Sequence, residues 1–365
     1  MPIPVVNLKP ALEATAAQWR ARLDEMFARM RFILGEEVAA FEKEFAAATG
    51  ARFAVGVGNG TAALELCLRD AGLANSGRDV LTTALTAPFT GIGILAAGCR
   101  PRFADIDPDT LLLDPGDAGN RARKNTAALI PVHLYGQPCA LDRFRTLARD
   151  LRAVLIQDAC QAHGARFRGR PLTDFSPYAA YSFYPTKNLG CLGDGGAVAT
   201  AGAAAARRLA SMRDGGRRGG QISYVPGINS RLDEMQACYL RAFLPHLGEW
   251  NAHRARIAAL YDEGLADAPG VRLLRREDSV HHLYVIRASK RDKLREHLAR
   301  HGIGTGIHYP VPLHLHPAFK DCGLKRGDLP AAEKACREIV SLPIWPFLTE
   351  ASACEVIEQV RRFYR

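Results

Sequence analysis

Short apolar runs alternate with amphipathic stretches along most of this chain, and that rhythm limits the fold more than any other feature. "FAVGVG" precedes "TAALELCLRDAGL", "RDVLTT" precedes "GIGILAAG", and "AALIPVHLYG" precedes "ALDRFRTLARDL", with "RPRFADID" and "RAVLIQDAC" as the following runs. Apolar runs without polar alternation suit strands buried on both faces, so the pattern predicts α/β architecture with a mostly parallel central sheet flanked by helices. "GGAVAT" reads as a further strand and "AGAAAARRLASMRD" as a helix. Upstream, "ARLDEMFARMRFILGEEVAAFEKEFAAATG" has helical periodicity, broken near Gly35 and closed at Gly50. Residues 213–231 form the longest irregular stretch, and a long amphipathic helix over 231–265 leaves the main domain. Beyond it, "VRLL" and "HHLYVIRA" read as strands, "KRDKLREHLARHG" and "LPAAEKACREIVS" as helices. At 365 residues the chain exceeds one core. The division expected is a large domain over 1–245 and a smaller C-terminal α+β domain over 246–365.

Hydrophobic content of 48% with 24% charged is ordinary for a globular protein. The net charge of +10 comes mostly from dispersed Arg without a Lys/Arg block, which points to a small phosphorylated partner and away from nucleic acid. Nine scattered cysteines form no CxxC pair and no Cys/His cluster of zinc spacing, so no metal is expected. "MPIPVVNLKPALEATAAQ" lacks a basic region followed by an apolar stretch, and a cytoplasmic protein with reduced thiols is expected. Val80–Cys99 carries no charge, but its threonines, proline and three glycines favour strand, loop and buried helix over a membrane span.

Three segments carry candidate chemistry. In "AVGVGNGTAALEL" a strand runs into a glycine turn and Thr61 opens a helix. That is either a phosphate site built on free N–H groups and the helix dipole or a simple capped helix. In "RAVLIQDACQAHGA", Asp158 ends a strand, where ligands of open α/β sheets bind; a capping or ion-paired carboxylate is the alternative. His163 alone reads as a satisfied, half-buried histidine. Lys187 is the single charge between Asp174 and Asp194. An amine in apolar surroundings becomes a nucleophile toward carbonyls; otherwise its stem packs and its head reaches water. Together, a phosphate cradle, a strand-end Asp and an isolated Lys are the groups that pyridoxal phosphate requires.

These strings, with "FILGEEVAAFEKEFA", "PRFADIDPDTLLLDP", "INSRLDEMQA", "GIGTGIHYPVPLHLHPAF" and "SLPIWPFLT", resemble the DegT/DnrJ/EryC1 family of pyridoxal-phosphate-dependent nucleotide-sugar aminotransferases over nearly the whole length. The resemblance implies the aspartate-aminotransferase-like fold (fold type I), with Lys187 in imine linkage to the cofactor and Asp158 on the pyridine nitrogen. It implies Gln161 at the phenolic oxygen, and Gly60, Thr61, Ala62 and Ser182 around the phosphate. Asn229 would reach the phosphate of the partner protomer, making a homodimer with shared sites. His308 and Tyr309 would line the sugar pocket, with a domain-packing turn as the alternative for Tyr309-Pro310. The family's ring-stacking aromatic falls on Ala87 here, leaving Phe89 as the nearest substitute. Arg213, Arg217, Arg218 and Arg231 are candidates for the diphosphate.

The function so implied is ping-pong transfer of an amino group from an L-amino acid, glutamate in most of the family, to a nucleotide-linked keto-sugar, with pyridoxamine phosphate carrying the amine between half-reactions. "NSRLDEMQA" and "GIGTGIHYPVPLHL" are similar to members acting on 3-keto-6-deoxyhexoses. The alternatives are a 4-keto-sugar or keto-cyclitol aminotransferase, a dehydratase, from which retention of Lys187 argues away, and a non-catalytic regulator.

Overall fold

The computed structural model describes residues 2–365. Twelve strands form: β1 (Phe53–Val57), β2 (Asp79–Thr83), β3 (Arg100–Ala104), β4 (Thr126–Ile130), β5 (Val154–Asp158), β6 (Arg166–Phe167), β7 (Arg170–Pro171), β8 (Tyr178–Ser182), β9 (Gly196–Thr200), β10 (Val271–Leu273), β11 (Tyr284–Ala288) and β12 (Ile339–Leu342). The main sheet has the order β1-β9-β8-β5-β4-β2-β3. Its neighbours pair in parallel from β8 to β3, while β9 runs antiparallel to both β8 and β1. Burial of β4 and β9 at every position accounts for their apolar or small-residue runs; β2 is buried throughout as well, with Asp79 at its start paired to Arg100 and Arg102. Every strand of the main sheet except β9 therefore ends at one edge, and the strand ends, helix starts and loops at that edge carry Gly60, Thr90, His133, Asp158 and Lys187.

A second sheet, β10-β11-β12, packs against helices Leu247–Leu265, Arg291–Arg300 and Glu350–Tyr364 around Tyr261, Tyr284, Leu294 and Val356. Two sequence expectations change here. The helix expected over 231–265 is two helices, Glu234–Phe243 and Leu247–Leu265, joined by a 3-10 turn at Pro245, whose ring cannot continue an α-helix. "CREIVS" does not stay helical: the helix Pro330–Glu338 stops and Ile339–Leu342 becomes the edge strand β12. Segment 213–231 has no regular element beyond isolated pairings such as Asp214 with Asn229.

Two buried carboxylates cap helices remote in sequence. Glu234 accepts the N–H groups of Gly35, Glu37 and Val38 at 2.8, 2.9 and 2.9 Å, closing the start of helix Glu36–Thr49. Asp105 accepts those of Ala331 and Ala332 at 2.9 and 2.8 Å, fastening helix Pro330–Glu338 to the end of β3. Both satisfy N–H groups that a helix start leaves orphaned, with a favourable dipole. Glu234→Ala leaves three buried donors unpaired. The expected loss is about 3 kcal/mol of unfolding free energy, measured by denaturant titration of the helical signal.

Candidate active site

Asp158 closes β5, and its carboxylate is 4% exposed. Thr90 Oγ1 donates to its Oδ2 at 2.8 Å and the Cys160 N–H to its Oδ1 at 3.2 Å. Thr90 comes from helix Pro88–Ala96 and packs beside Thr86, their hydroxyls 3.2 Å apart. Beneath lies His133, fully buried on the chain leaving β4. Gln157 Nε2 donates to Leu172 O and Ser176 Oγ, so its Oε1 must accept, and His133 Nε2 at 2.9 Å is the donor. His133 Nδ1 accepts the Cys139 N–H at 3.0 Å, which makes the ring a neutral Nε2–H tautomer.

Lys187 lies in the hairpin between β8 and β9. Phe183 anchors that hairpin, its ring 5.2 Å from both Phe41 and Phe45. The loop folds back through Lys187 N to Tyr184 O at 2.8 Å and Cys191 N to Phe183 O at 2.8 Å. Gly190 permits this closure, since a Cβ there would stand 2.4 Å from the Pro185 carbonyl oxygen. Burial lowers the Lys187 pKa below the usual lysine value, with Cys160 and Asp158 opposing the shift. The neighbouring His163 and His308 are likewise lowered by burial and then by the Lys187 charge, to about 3 and about 4.

Helix Gly60–Asp70 points its N-terminus at the same edge. Its cap is Asn59 rather than Thr61: Asn59 Oδ1 accepts the Ala62 N–H at 2.8 Å, so Ala62 is not the open donor that the resemblance implies. A Cβ at Gly60 would lie 2.7 Å from Cys160 Sγ and 2.8 Å from Ser182 Cβ, so only glycine lets this turn close on the end of β8. Gln161 Oε1 accepts the Tyr135 N–H at 2.7 Å and its Nε2 donates to Tyr309 Oη at 3.2 Å. His308 bonds Ser341 Oγ through Nδ1 at 2.8 Å, and Tyr135 donates its hydroxyl to the His308 carbonyl.

Other expected residues stand apart from this cluster. Phe89 is 59% exposed at the start of its helix. Asn229 is exposed on the 213–231 loop. Arg217 and Arg231 both bind Asp214 Oδ1, at 2.5 and 2.9 Å. Arg213 is buried and committed to Glu42 and the Gly56 carbonyl, which makes it a strut of the fold and removes it from the diphosphate candidates. His163 is fully buried against Tyr181 and Phe183 with both ring nitrogens unpartnered, contrary to the satisfied histidine expected. Thr90 and His133 had no local signal; a threonine in an uncharged run reads as filler until the fold brings it to Asp158.

Among the described residues no cluster of His, Cys, Asp and Glu is placed to hold a metal, and no helix is long and apolar enough to cross a membrane. The described cysteines are free.

A glycine-started helix N-terminus, a carboxylate held by a hydroxyl and an amine of lowered basicity share one strand edge. That donor set fits pyridoxal phosphate, which presents a phosphate, a basic ring nitrogen and an aldehyde. The arrangement is that of a fold-type-I aminotransferase. The chain belongs to the DegT/DnrJ/EryC1/StrS aminotransferase family, whose profile matches residues 14–361, and pyridoxal phosphate is its cofactor. It is 43% identical over 364 residues to dTDP-3-amino-3,4,6-trideoxy-alpha-D-glucose transaminase of Streptomyces venezuelae, covering 99% of this chain and 96% of that one. It is 40% identical over 370 residues to a pleiotropic regulatory protein of Geobacillus stearothermophilus, covering 100% and 99%. The crystal structure of S. venezuelae DesV in complex with a ketimine intermediate superposes with a TM-score of 0.97 at 42% identity, covering 100% and 99%.

Burial lowers the His133 pKa from 6.5 to about 4. Between those values the unfolded chain holds a proton that the folded chain refuses, so stability falls as pH drops through this window. The expected contribution is about 3 kcal/mol. Unfolding of the cofactor-free protein across that range is expected to show a shallower pH slope in His133→Gln than in the wild type.

Proposed function

We propose that this aminotransferase moves an amino group from an L-amino acid, glutamate by preference, to the C3 keto group of a nucleotide-linked deoxyhexose. The observation that carries the substrate class is the near full-length 43% identity to a transaminase named for a 3-amino deoxysugar. Retention of the lysine and its lowered basicity support catalysis over a purely regulatory role. When bound, pyridoxal phosphate supplies an electron sink that makes the donor's Cα–H acidic. Lys187 Nζ, uncharged more readily than an exposed lysine, would take that proton and return it as general base and acid. Asp158, oriented by Thr90 and the Cys160 N–H, holds a proton on the ring nitrogen. Gly60 and Thr61, at the helix start, and Ser182 bind the phosphate, and Gln161 donates to the phenolic oxygen through Nε2. His308 and Tyr309 border the sugar. Arg217 and Arg231, already bound to Asp214, and Arg218, whose guanidinium lies over the Tyr224 ring, are the diphosphate candidates that remain.

Asn229 acts across a homodimer in this reading. Exposed Phe27, Met30, Phe32, Ile33, Phe89, Leu192 and Met235 supply apolar surface of the kind such an interface buries. This gives Phe89 an interface role and leaves Ala87 as the residue at the ring face.

Hydride reduction of the holoenzyme followed by peptide mapping is expected to mark Lys187, and Lys187→Ala to abolish turnover. With glutamate, a 3-keto nucleotide sugar is expected to be aminated in preference to its 4-keto isomer; preference for the 4-keto isomer overturns the regiochemistry. Mixing and re-equilibrating Lys187→Ala chains with Asn229→Ala chains is expected to leave about one quarter of the sites fully intact, because half the dimers then hold one such site, and to raise activity above the sum of the two variants kept apart. No recovery overturns the shared site.

A further inference from the structure

The residue after Lys187 is fixed from three sides. Asn188 Nδ2 donates to the Val280 carbonyl at 2.9 Å and to Asn251 Oδ1 at 2.8 Å. Asn251 spends its own Nδ2 on the His163 carbonyl at 2.9 Å. Backbone carbonyls only accept, so these two contacts settle both amide orientations. Asn188 Oδ1 is left as an acceptor, and His282 Nδ1 lies 3.1 Å from it. His282 Nδ1 must therefore carry the hydrogen. Asn188 and His282 are 3% and 6% exposed, so these bonds compete little with water.

His282 sits just before β11, in a segment itself tied to the main domain. Val280 N donates to Gly136 O at 3.0 Å and Leu283 N to Tyr135 O at 3.4 Å. Tyr135 also engages Gln161, so the corner that holds His282 is the corner that holds Gln161. A lysine side chain has four rotatable bonds and cannot aim its own amine. Its backbone anchor decides how often Nζ meets a carbonyl in the pocket.

We propose that His282 is a positioning residue: by donating from Nδ1 to Asn188 it holds the backbone of Lys187 where Nζ condenses with the cofactor aldehyde, forming the C–N bond and releasing water. This rests on the reading of Lys187 given above.

The test is a double-mutant cycle on pyridoxal phosphate retention, read by equilibrium dialysis. In the presence of Lys187, His282→Phe is expected to weaken retention about tenfold, the size of one lost buried hydrogen bond. In a Lys187→Ala background the same change is expected to cost less than about twofold. His282→Asn, whose amide nitrogen stands where Nδ1 stood, is expected to restore retention. Asn188→Ala enters the same cycle and decides the matter if His282→Phe does not fold. Equal losses in both backgrounds, with hydride still marking Lys187, overturn the positioning role alone. Marking of a different residue overturns it together with the assignment of Lys187.

Discussion

A carboxylate at the end of a buried strand must be held by something, and most of the site follows from how Asp158 is held. Thr90 and the Cys160 N–H each take one oxygen, leaving further lone pairs directed at the strand edge. Thr90 reaches it only because β2 and β5 flank β4 in parallel, so that the helix after β2 starts beside the end of β5. His133, three residues beyond the end of β4 and joined to Asp158 O through its N–H at 3.0 Å, fills the floor as a neutral ring. Parallel order thus converts distant polar residues into one constellation.

The smaller sheet, β10-β11-β12, and the segments around it belong to this constellation as much as the main sheet does. Asp105 grips the start of helix Pro330–Glu338, while Asn188 and Asn251 carry the lysine hairpin toward Val280 and His282. The Val280 and His163 carbonyls accept from the Asn188 and Asn251 amides. Each fixes the orientation of an amide that otherwise rotates, so the lysine hairpin and the segment before β11 are held by the same hydrogen bonds.

Much of the fold could be read from the sequence because short buried strands leave contiguous apolar runs that alternate with longer amphipathic helices. The reading failed where a short-range rule was overridden. Pro245 split a helix whose periodicity continued on both sides, and the helical pattern of 330–338 ran on into a β-branched strand. Lys187 and Asp158 stood out because their side chains are unusual among their neighbours. Thr90 and His282 did not, since Thr90 meets Asp158 across 68 residues and His282 meets Asn188 across 94. Asn59 displaced Thr61 as the cap because it lies one residue before the helix, where its short side chain reaches back over the first turn.

The reversed strand β9 has a consequence for how the molecule is made. β1 is the first strand to leave the ribosome, yet it pairs with β9 alone, from Phe53 against Thr200 to Val57 against Gly196. The helix before it waits as long, since its starting N–H groups are capped by Glu234. The N-terminal segment must therefore remain unpaired while more than half of the protein is translated, and such a segment is exposed to wrong partners throughout. Its edge is shielded in sequence by the short length of β1 and the glycine at its fourth position. Synthesis order and spatial order oppose each other at the strand that leads into the glycine turn.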